Sequence, residues 1–256
     1  MTFKHIISRD NSLFKQLKKL ADSSRERRKL GETLLDGAHL VETYLEVFGE
    51  PELLIIPEGE STAEVNHLTQ QLADIPTVMF PTLMFQELAP VASPTGILAL
   101  VKTPTIAPPE ALNFVLMLED IQDPGNLGSM LRTAAAAGVD AVYLSEGCTE
   151  AWSPKALRGG QGAQFVLPIV ERADLVAFAA EFKGQVLATT LQGDSIYQVD
   201  MTKPTAIAIG NEGNGLSVAM RKAASHQATI PIAGVESLNA AAAASICLFE
   251  RVRQTL

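Results

Sequence analysis

Short apolar runs alternate with stretches of helical apolar spacing along most of this 256-residue chain. Runs such as 53–56 and Ala141–Leu144 have the length of buried strands, whereas Ala38–Phe48 repeats apolar residues at helical spacing. Strands that are separated by helices pair into a mostly parallel sheet with both faces covered. The sequence therefore predicts an α/β fold, and its 47% hydrophobic content excludes disorder as the main state.

A proline-rich segment, K-T-P-T-I-A-P-P-E at 102–110, divides this alternation into two parts. Proline fixes φ and stiffens the chain towards an extended path. We therefore expect a smaller α/β domain at residues 1–101, a linker at 102–110 and a second domain at 111–256. The second domain is expected to have strands at Phe114–Leu118, Ala141–Leu144, 186–189, 206–209 and 228–230, and helices at 127–137, 175–182, 218–224 and 238–252.

The charges are distributed unevenly along the chain. Its net charge is −9, yet residues 1–29 hold nine Lys and Arg against three acids, so this arm carries +6 and the remainder −15. A basic arm on an acidic body indicates that a polyanion binds there, and a solvated helix face is the alternative. The run R-E-R-R-K at 25–29 is expected in a loop or at a helix end. The candidate binding cations of this arm are Lys15, Lys18, Lys19, Arg25, Arg27 and Arg28.

Several classes of protein are disfavoured by composition. The longest nearly unbroken apolar stretch, 240–249, has ten residues, whereas a membrane-spanning helix needs about 20. The first 14 residues lack the apolar core of a secretory signal. Two distant cysteines and four isolated histidines form neither a disulfide framework nor a metal motif. We therefore expect a soluble cytoplasmic protein without a metal and without a membrane partner.

Three segments of the second domain place Gly, Asn, Ser and acids just after predicted strands. Ligands of open α/β sheets bind outside the carboxyl ends of the strands. The segments are D-P-G-N-L-G-S-M-L-R-T-A at 123–134, I-G-N-E-G-N-G-L-S at 209–217 and I-P-I-A-G-V-E-S-L-N at 230–239. In the first, Asn126 is expected to cap the helix and Arg132 to lie about one and a half turns further on, either as a surface arginine or as a fork for a phosphate.

The other two segments leave similar alternatives open. The glycines at 210, 213 and 215 do not follow the spacing of a P-loop or of a dinucleotide fingerprint. Glu212 would repel a phosphate but accepts hydrogen bonds from donors. Ser237 and Asn239 are plain helix caps in one interpretation and site residues in the other.

Taken in order, the motifs N-x-G-x-x-x-R-T-A, G-N-E-G-x-G-L and I-P-x-x-G-x-x-S-L-N closely resemble those of the SpoU (TrmH) family, SPOUT-class RNA ribose 2′-O-methyltransferases. The resemblance covers 114–254. It extends more weakly to 1–101 through T-L-L-D-G-A-H-L-V-E and S-P-T-G-I-L-A-L, which resemble the substrate-binding domain of many members. That domain is similar to an RNA-binding, ribosomal-protein-like α/β fold.

The resemblance implies a SPOUT domain with a C-terminal trefoil knot, a rare exception to the rules of chain connection. It implies S-adenosylmethionine bound bent in a pocket of the knot, where Gly210, Ile230 and Leu238 contact it chiefly through backbone groups. It also implies a homodimer that pairs through the knot region, with both subunits contributing to each site.

By matching motif positions, the resemblance gives catalytic roles to Asn126, Arg132, Glu212, Ser237 and Asn239. An arginine, with a pKa above about 12, is a poor base, so a phosphate clamp that also stabilises the developing alkoxide is the preferred role of Arg132. Asn126, Ser237 and Asn239 would position the ribose, Arg132 or the loops. Glu212 would orient donors around the pocket.

One segment, S-P-K-A-L-R-G-G-Q-G-A at 153–163, departs from the family, because Gly159 and Gly160 stand where small residues such as Ala-Ser are common. Lys155 and Arg158 are either RNA contacts or surface charge, and Trp152 either stacks on a base or packs inside.

The expected function is methyl transfer to a ribose 2′-hydroxyl, of ribosomal RNA first and transfer RNA second. The alternative is a non-catalytic RNA-binding or ribosome-assembly factor on the same fold. A nucleotide-dependent enzyme of Rossmann type is disfavoured by the glycine spacing and by the late position of the Gly-rich loop.

Overall fold

The computed structural model of the protein describes residues 3–89, 91 and 94–256. Contacts between residues divide the chain into two compact units. The first comprises the residues up to Pro104 together with Trp152–Phe165, and the second comprises Thr105–Ala151 and Val166–Leu256.

Up to residue 104, strands and helices alternate as the sequence predicts, with additional short elements. The elements are β1 (Lys4–His5), α1 (Ser12–Asp22), α2 (Ser24–Leu30), β2 (Glu32–Asp36), α3 (Ala38–Phe48), β3 (Leu53–Pro57), α4 (Ala63–Gln71), β4 (Thr77–Phe80), α5 (Thr82–Leu88) and β5 (Leu98–Lys102). In the described part of this unit the strands form one sheet in the order β1-β4-β3-β5-β2, in which β5 runs antiparallel to β2 and β3.

The basic run at 25–29 lies in a short helix, and Arg27, Arg28 and Lys29 belong to its last turn, so of the two expected alternatives the helix end is the one observed. The run lies within α2, where the Ser23 side chain accepts a hydrogen bond from the backbone N–H of Glu26 and so caps the first turn. Gly31 ends the helix in the left-handed conformation, with φ +64°. Two local caps thus make a helix of a segment that has no apolar period.

From residue 105 the elements are β6 (Phe114–Leu118), α6 (Pro124–Ala136), β7 (Ala141–Leu144), α7 (Pro154–Gly160), β8 (Ile169–Val170), α8 (Leu175–Glu181), β9 (Gln185–Ser195), β10 (Thr205–Ile209), α9 (Val218–Ala223), β11 (His226–Thr229) and α10 (Ala240–Thr255). Short 3₁₀ turns follow α7 and β9 at Ala163–Phe165 and Ile196–Gln198. The described strands of the second unit form a parallel sheet in the order β11-β9-β10-β6-β7-β8. The predicted α/β fold with a parallel sheet is confirmed.

Helix α6 begins three residues earlier than expected. The Asp123 carboxylate accepts a hydrogen bond of 2.8 Å from the backbone N–H of Asn126. Asp123 is therefore the cap, and the prediction that Asn126 caps this helix was wrong. Because α6 begins at Pro124, Arg132 lies more than two turns into the helix rather than one and a half.

Helix α7 and the 3₁₀ turn after it belong to the first unit. The Thr33 hydroxyl donates a hydrogen bond of 2.7 Å to the carbonyl of Trp152. The ring of Phe165 packs edge-on against Tyr44 and Phe48, at centroid distances of 5.6 and 6.1 Å. Trp152 is itself buried, which confirms that it packs inside.

Candidate active site

One cavity of about 620 Å³ lies in the second unit, at the carboxyl ends of β10 and β11 and beside residues 189–192 of β9. Because parallel strands present the same ends at one edge of a sheet, the segments that follow them meet there. The cavity is lined by Gly210, Ile230 and Leu238, the three predicted cofactor contacts, and by Glu212 and Ser237. The structure therefore brings together five of the residues that the sequence singled out.

The loop after β10 folds back tightly on its first residue. A Cβ atom at Gly210 would lie 2.3 Å from both the carbonyl carbon of Gly215 and the backbone nitrogen of Leu216. The Asn211 side chain accepts hydrogen bonds from the backbone N–H groups of Gly213 and Asn214, at 2.9 and 3.0 Å. The close approach of two backbone segments explains why position 210 is a glycine.

Two acidic residues at the end of β6, which the sequence analysis missed, hold this loop. The Glu119 carboxylate accepts a hydrogen bond of 2.7 Å from the backbone N–H of Ser217, and the Asp120 carbonyl accepts one of 2.9 Å from the Asn211 amide. Asp120 has a positive φ of 57°, which is uncommon outside glycine. A pair of acids directly after a predicted strand was the signal that could have identified them.

A hydrogen-bonded chain of side chains joins all three segments that the sequence singled out. The Asn126 amide donates to the Glu212 carboxylate at 3.1 Å, and the Asn239 amide donates to the Asn126 side-chain oxygen at 3.2 Å. The Asn239 oxygen also accepts from the backbone N–H of Ala241 at 2.9 Å, so it caps α10. For Asn239 the two alternatives are therefore compatible, because one side chain both caps a helix and joins the site.

Ser237 and Arg132 lie outside this network. Ser237 is exposed, and its hydroxyl has no hydrogen-bond partner among the residues that the structure describes. Arg132 is exposed on α6, is absent from the cavity lining, and makes neither a hydrogen bond nor an ion pair with any described residue. Within one chain, the guanidinium of Arg132 is thus available to a partner that the chain itself does not supply.

The predicted RNA-binding cations of the first 29 residues fall into three groups. Lys15 and Lys18 form exposed ion pairs of 2.8 Å with Asp10 and Asp22. Arg27 is only 5% exposed, and its guanidinium donates to the carbonyls of Leu20 and Ala21 at the end of α1. An interior guanidinium cannot reach a phosphate, so including Arg27 was wrong. Of the six predicted cations, Lys19, Arg25 and Arg28 are exposed and have no side-chain partner among the described residues.

The two cations of α7 also differ from each other. Lys155 is exposed. Arg158 donates to the carboxylate of Asp36 at 2.5 Å, and the Asp36 side chain is 0% exposed. Arg158, whose side chain is 32% exposed, therefore forms an ion pair with a buried carboxylate of the first unit, and an RNA contact of Arg158 stays a prediction.

Neither thiol has the setting of a nucleophile. Burial raises the pKa of Cys247 to about 12, and burial also raises the pKa of Cys148.

Among the described residues, no three or more His, Cys, Asp or Glu side chains converge as metal ligands would. No helix in that part of the chain combines the length and the apolar character that crossing a bilayer requires.

The chain matches two family models. Residues 113–249 match the SpoU rRNA Methylase family, and residues 11–99 match the MRM3-like substrate binding domain. A 23S rRNA (guanosine(2553)-2'-O)-methyltransferase of Bacillus subtilis is 34% identical over 96% of this chain and 98% of its own length.

Solved structures of full length are also similar. The crystal structure of an RNA 2'-O ribose methyltransferase has a TM-score of 0.83 at 28% identity, covering 98% of both chains. The SpoU methyltransferase AviRb from Streptomyces viridochromogenes in complex with AdoMet has a TM-score of 0.81 at 27% identity, covering 95% of this chain and 98% of its own.

Proposed function

The chain belongs to the SpoU rRNA Methylase family, and on this premise we propose that it transfers a methyl group from S-adenosylmethionine to a ribose 2′-hydroxyl of RNA. Ribosomal RNA is the proposed substrate, with transfer RNA as the second choice. The observation that carries the proposal is the chain of hydrogen bonds from Asn239 through Asn126 to Glu212 beside the cavity. A substrate hydroxyl must be oriented for reaction, and polar groups that converge beside a pocket can orient it.

The cavity fits the cofactor in size and in chemistry. Its volume of about 620 Å³ is within the range of small-molecule sites. Gly210, Ile230 and Leu238 would hold the cofactor, because they combine accessible backbone groups with apolar walls. When bound there, S-adenosylmethionine supplies a methyl group activated by its sulfonium.

The residues of the chain divide the remaining tasks. Arg132 clamps the phosphate beside the target ribose, and its fixed positive charge stabilises the negative charge that develops on the attacking 2′-oxygen, whose proton passes to solvent water. Asn126 and Asn239 hold the loops in register and orient the ribose, together with Ser237. Glu212 accepts the Asn126 amide and so fixes which side of that group faces the substrate.

The active form is proposed to be a homodimer that pairs through the knot region, in which a second copy brings its Arg132 to the cavity. This is supported by the unpartnered Arg132 and by exposed apolar side chains of the second unit, such as Leu191 at 71% and Val235 at 63%. A trefoil knot formed by the loops at 210–217 and 230–239 is part of the same proposal.

For the domains we propose an RNA-binding, ribosomal-protein-like domain at 1–101, to which Trp152–Phe165 also contribute, a linker at 102–110 and a SPOUT catalytic domain within 111–256. The protein is proposed to act in the cytoplasm.

The face of α2 that carries Arg25 and Arg28, three residues apart, is proposed to contact the RNA backbone, with Lys19 and Lys155 as further contacts. Arg27 supports that face from inside by tying α2 to α1.

The proposal is tested with the purified full chain, radiolabelled S-adenosylmethionine and ribosomal RNA from cells that lack the gene. We expect cofactor-dependent labelling of one ribose, mapped as a 2′-O-methyl group. Arg132→Ala should lower the rate by at least 100-fold and leave cofactor binding unchanged, whereas Lys203→Ala, an exposed cation outside the site, should retain full activity. RNA binding without any methyl transfer would favour a non-catalytic assembly factor instead.

A further inference from the structure

The cavity extends beyond the predicted cofactor contacts to helix α9. Arg221, in the last turn of α9, lines it together with Gln192 and Gln227. Among the described lining residues, Arg221 is the only basic one, and Glu212 and Glu236 are the acidic ones. The wall of the cavity therefore has one cationic position, on the side formed by α9.

The Arg221 side chain has no partner among the residues that the structure describes. It is exposed and makes no side-chain hydrogen bond or ion pair with any residue in the described part of the chain. Its backbone is nevertheless fixed, because its N–H donates to the Ser217 carbonyl at 3.0 Å and Ser217 is itself held by Glu119 at 2.7 Å. The neighbouring Met220 is fully buried, which anchors α9 to the sheet. The guanidinium is thus presented to the cavity from a fixed helix.

The charges of the cavity complement those of the cofactor. S-Adenosylmethionine carries a sulfonium, an ammonium and a carboxylate, so its net charge is positive, whereas the two acids and one arginine of the lining sum to −1. Its carboxylate is its only anionic group. A guanidinium is the side chain best matched to a carboxylate, because two parallel N–H groups donate to its two oxygens.

We propose that Arg221 binds the α-carboxylate of S-adenosylmethionine and so makes the site selective for cofactors that keep the amino acid moiety. This inference rests on the proposed function. It adds a specificity-determining residue that lies outside the three segments that the sequence singled out, between the second at 209–217 and the third at 230–239.

The test compares two ligands by calorimetry on the full-length protein. S-Adenosylmethionine carries the amino acid moiety, and 5′-methylthioadenosine keeps the adenosine but lacks it. We expect Arg221→Met to weaken binding of S-adenosylmethionine by 10-fold to about 100-fold, the range for a hydrogen bond to a charged group. Binding of 5′-methylthioadenosine should change less than twofold. Arg221→Lys should restore part of the loss.

Lys222→Met is the matched control, since it removes the same charge from the next residue, which is exposed and does not line the cavity. It should leave both affinities unchanged. The inference is overturned if Arg221→Met weakens both ligands equally, if it weakens neither, or if it weakens only RNA binding, which would make a phosphate its partner. Failure of the wild-type protein to bind either ligand would instead overturn the proposed function, and this inference with it.

Discussion

Gly210 shows how one residue without a side chain can set the shape of a binding loop. The backbone of Gly215 and Leu216 occupies the space that a Cβ at position 210 would need. Gly213, in the same loop, has its nearest obstruction at 3.5 Å, on the Asn211 side chain. Two glycines three residues apart therefore have different roles.

Gly210→Ala is expected to displace the loop at 211–215 and to weaken binding of S-adenosylmethionine at least tenfold, because a backbone clash cannot be relieved by a rotamer change. Calorimetric titration measures this effect. Gly213→Ala, which has room for a methyl group, should bind the cofactor as the wild type does. Equal affinities of the two variants would contradict the steric argument.

Asn126 and Glu212 are expected to act as one unit in catalysis, because the first donates its amide to the second at 3.1 Å. Asn126→Ala and Glu212→Ala should each lower kcat/KM, and the double variant should lose less than the sum of the two effects. The coupling, measured by a double-mutant cycle, should be about 1 kcal/mol. Strictly additive losses would show that the hydrogen bond has no part in the reaction.

For single residues, the motifs predict which side chains lie near each other, but not which hydrogen bonds fix their positions. Gly210, Ile230 and Leu238 were expected around one pocket and do line one cavity. The sequence predicts Asn126 as the cap of α6, whereas Asp123 caps the helix and Pro124 is its first residue. The sequence groups Arg27 with solvent-facing cations. It gives no sign that Arg27 is buried, because the carbonyl groups that accept its hydrogen bonds belong to another helix.

Among the elements, α7 departs furthest from expectation. Its sequence, P-K-A-L-R-G-G, is short and contains two glycines, so no apolar period marks it as a helix. Its cap was visible in the sequence, because Ser153 precedes Pro154 and accepts a hydrogen bond from the backbone N–H of Ala156. What could not be predicted is its partner, since Asp36 lies 122 residues earlier in the chain.

Arg158→Ala should destabilise the first unit by about 3 kcal/mol, because it leaves the buried carboxylate of Asp36 without its cation. Urea unfolding followed by circular dichroism would show a lower midpoint. Arg25→Ala removes an exposed cation from the same unit and should shift the midpoint little. Adding Asp36→Asn to Arg158→Ala should recover part of the loss, and no recovery would argue against a charge effect.

For the molecule as a whole, the parallel sheet and the alternation of elements were predictable because buried strands and amphipathic helices have different periods. Strand positions such as Phe114–Leu118 and Ala141–Leu144 agree with the prediction, since these strands are apolar throughout. Strand β11 was misplaced by two residues, because its first half, His226 and Gln227, is polar and exposed. Contacts between distant segments have no signature in one sequence.

The uneven charge of the chain predicts how RNA binding responds to salt. The double variant Arg25→Ala with Arg28→Ala should weaken RNA binding and reduce the slope of log affinity against log salt by about 1.4 to 1.8. The reason is that binding without these two phosphate contacts releases fewer counterions. Binding titrations between 50 and 300 mM salt measure this. Lys183→Ala removes an exposed cation of the second unit and should leave the slope unchanged. The cofactor affinity should be the same in the wild type, the double variant and Lys183→Ala.

The inclusion of Trp152–Phe165 in the first unit bears on how such a gene can be recombined. The chain passes from one unit to the other at three points, so a break in the proline-rich segment does not yield two self-sufficient modules. A fragment starting at 111 would expose Trp152 and Phe165 and would lack the acid that neutralises Arg158. A chimera that takes its N-terminal part from a homologous gene would therefore fold only when residues 152–165 come from the same gene.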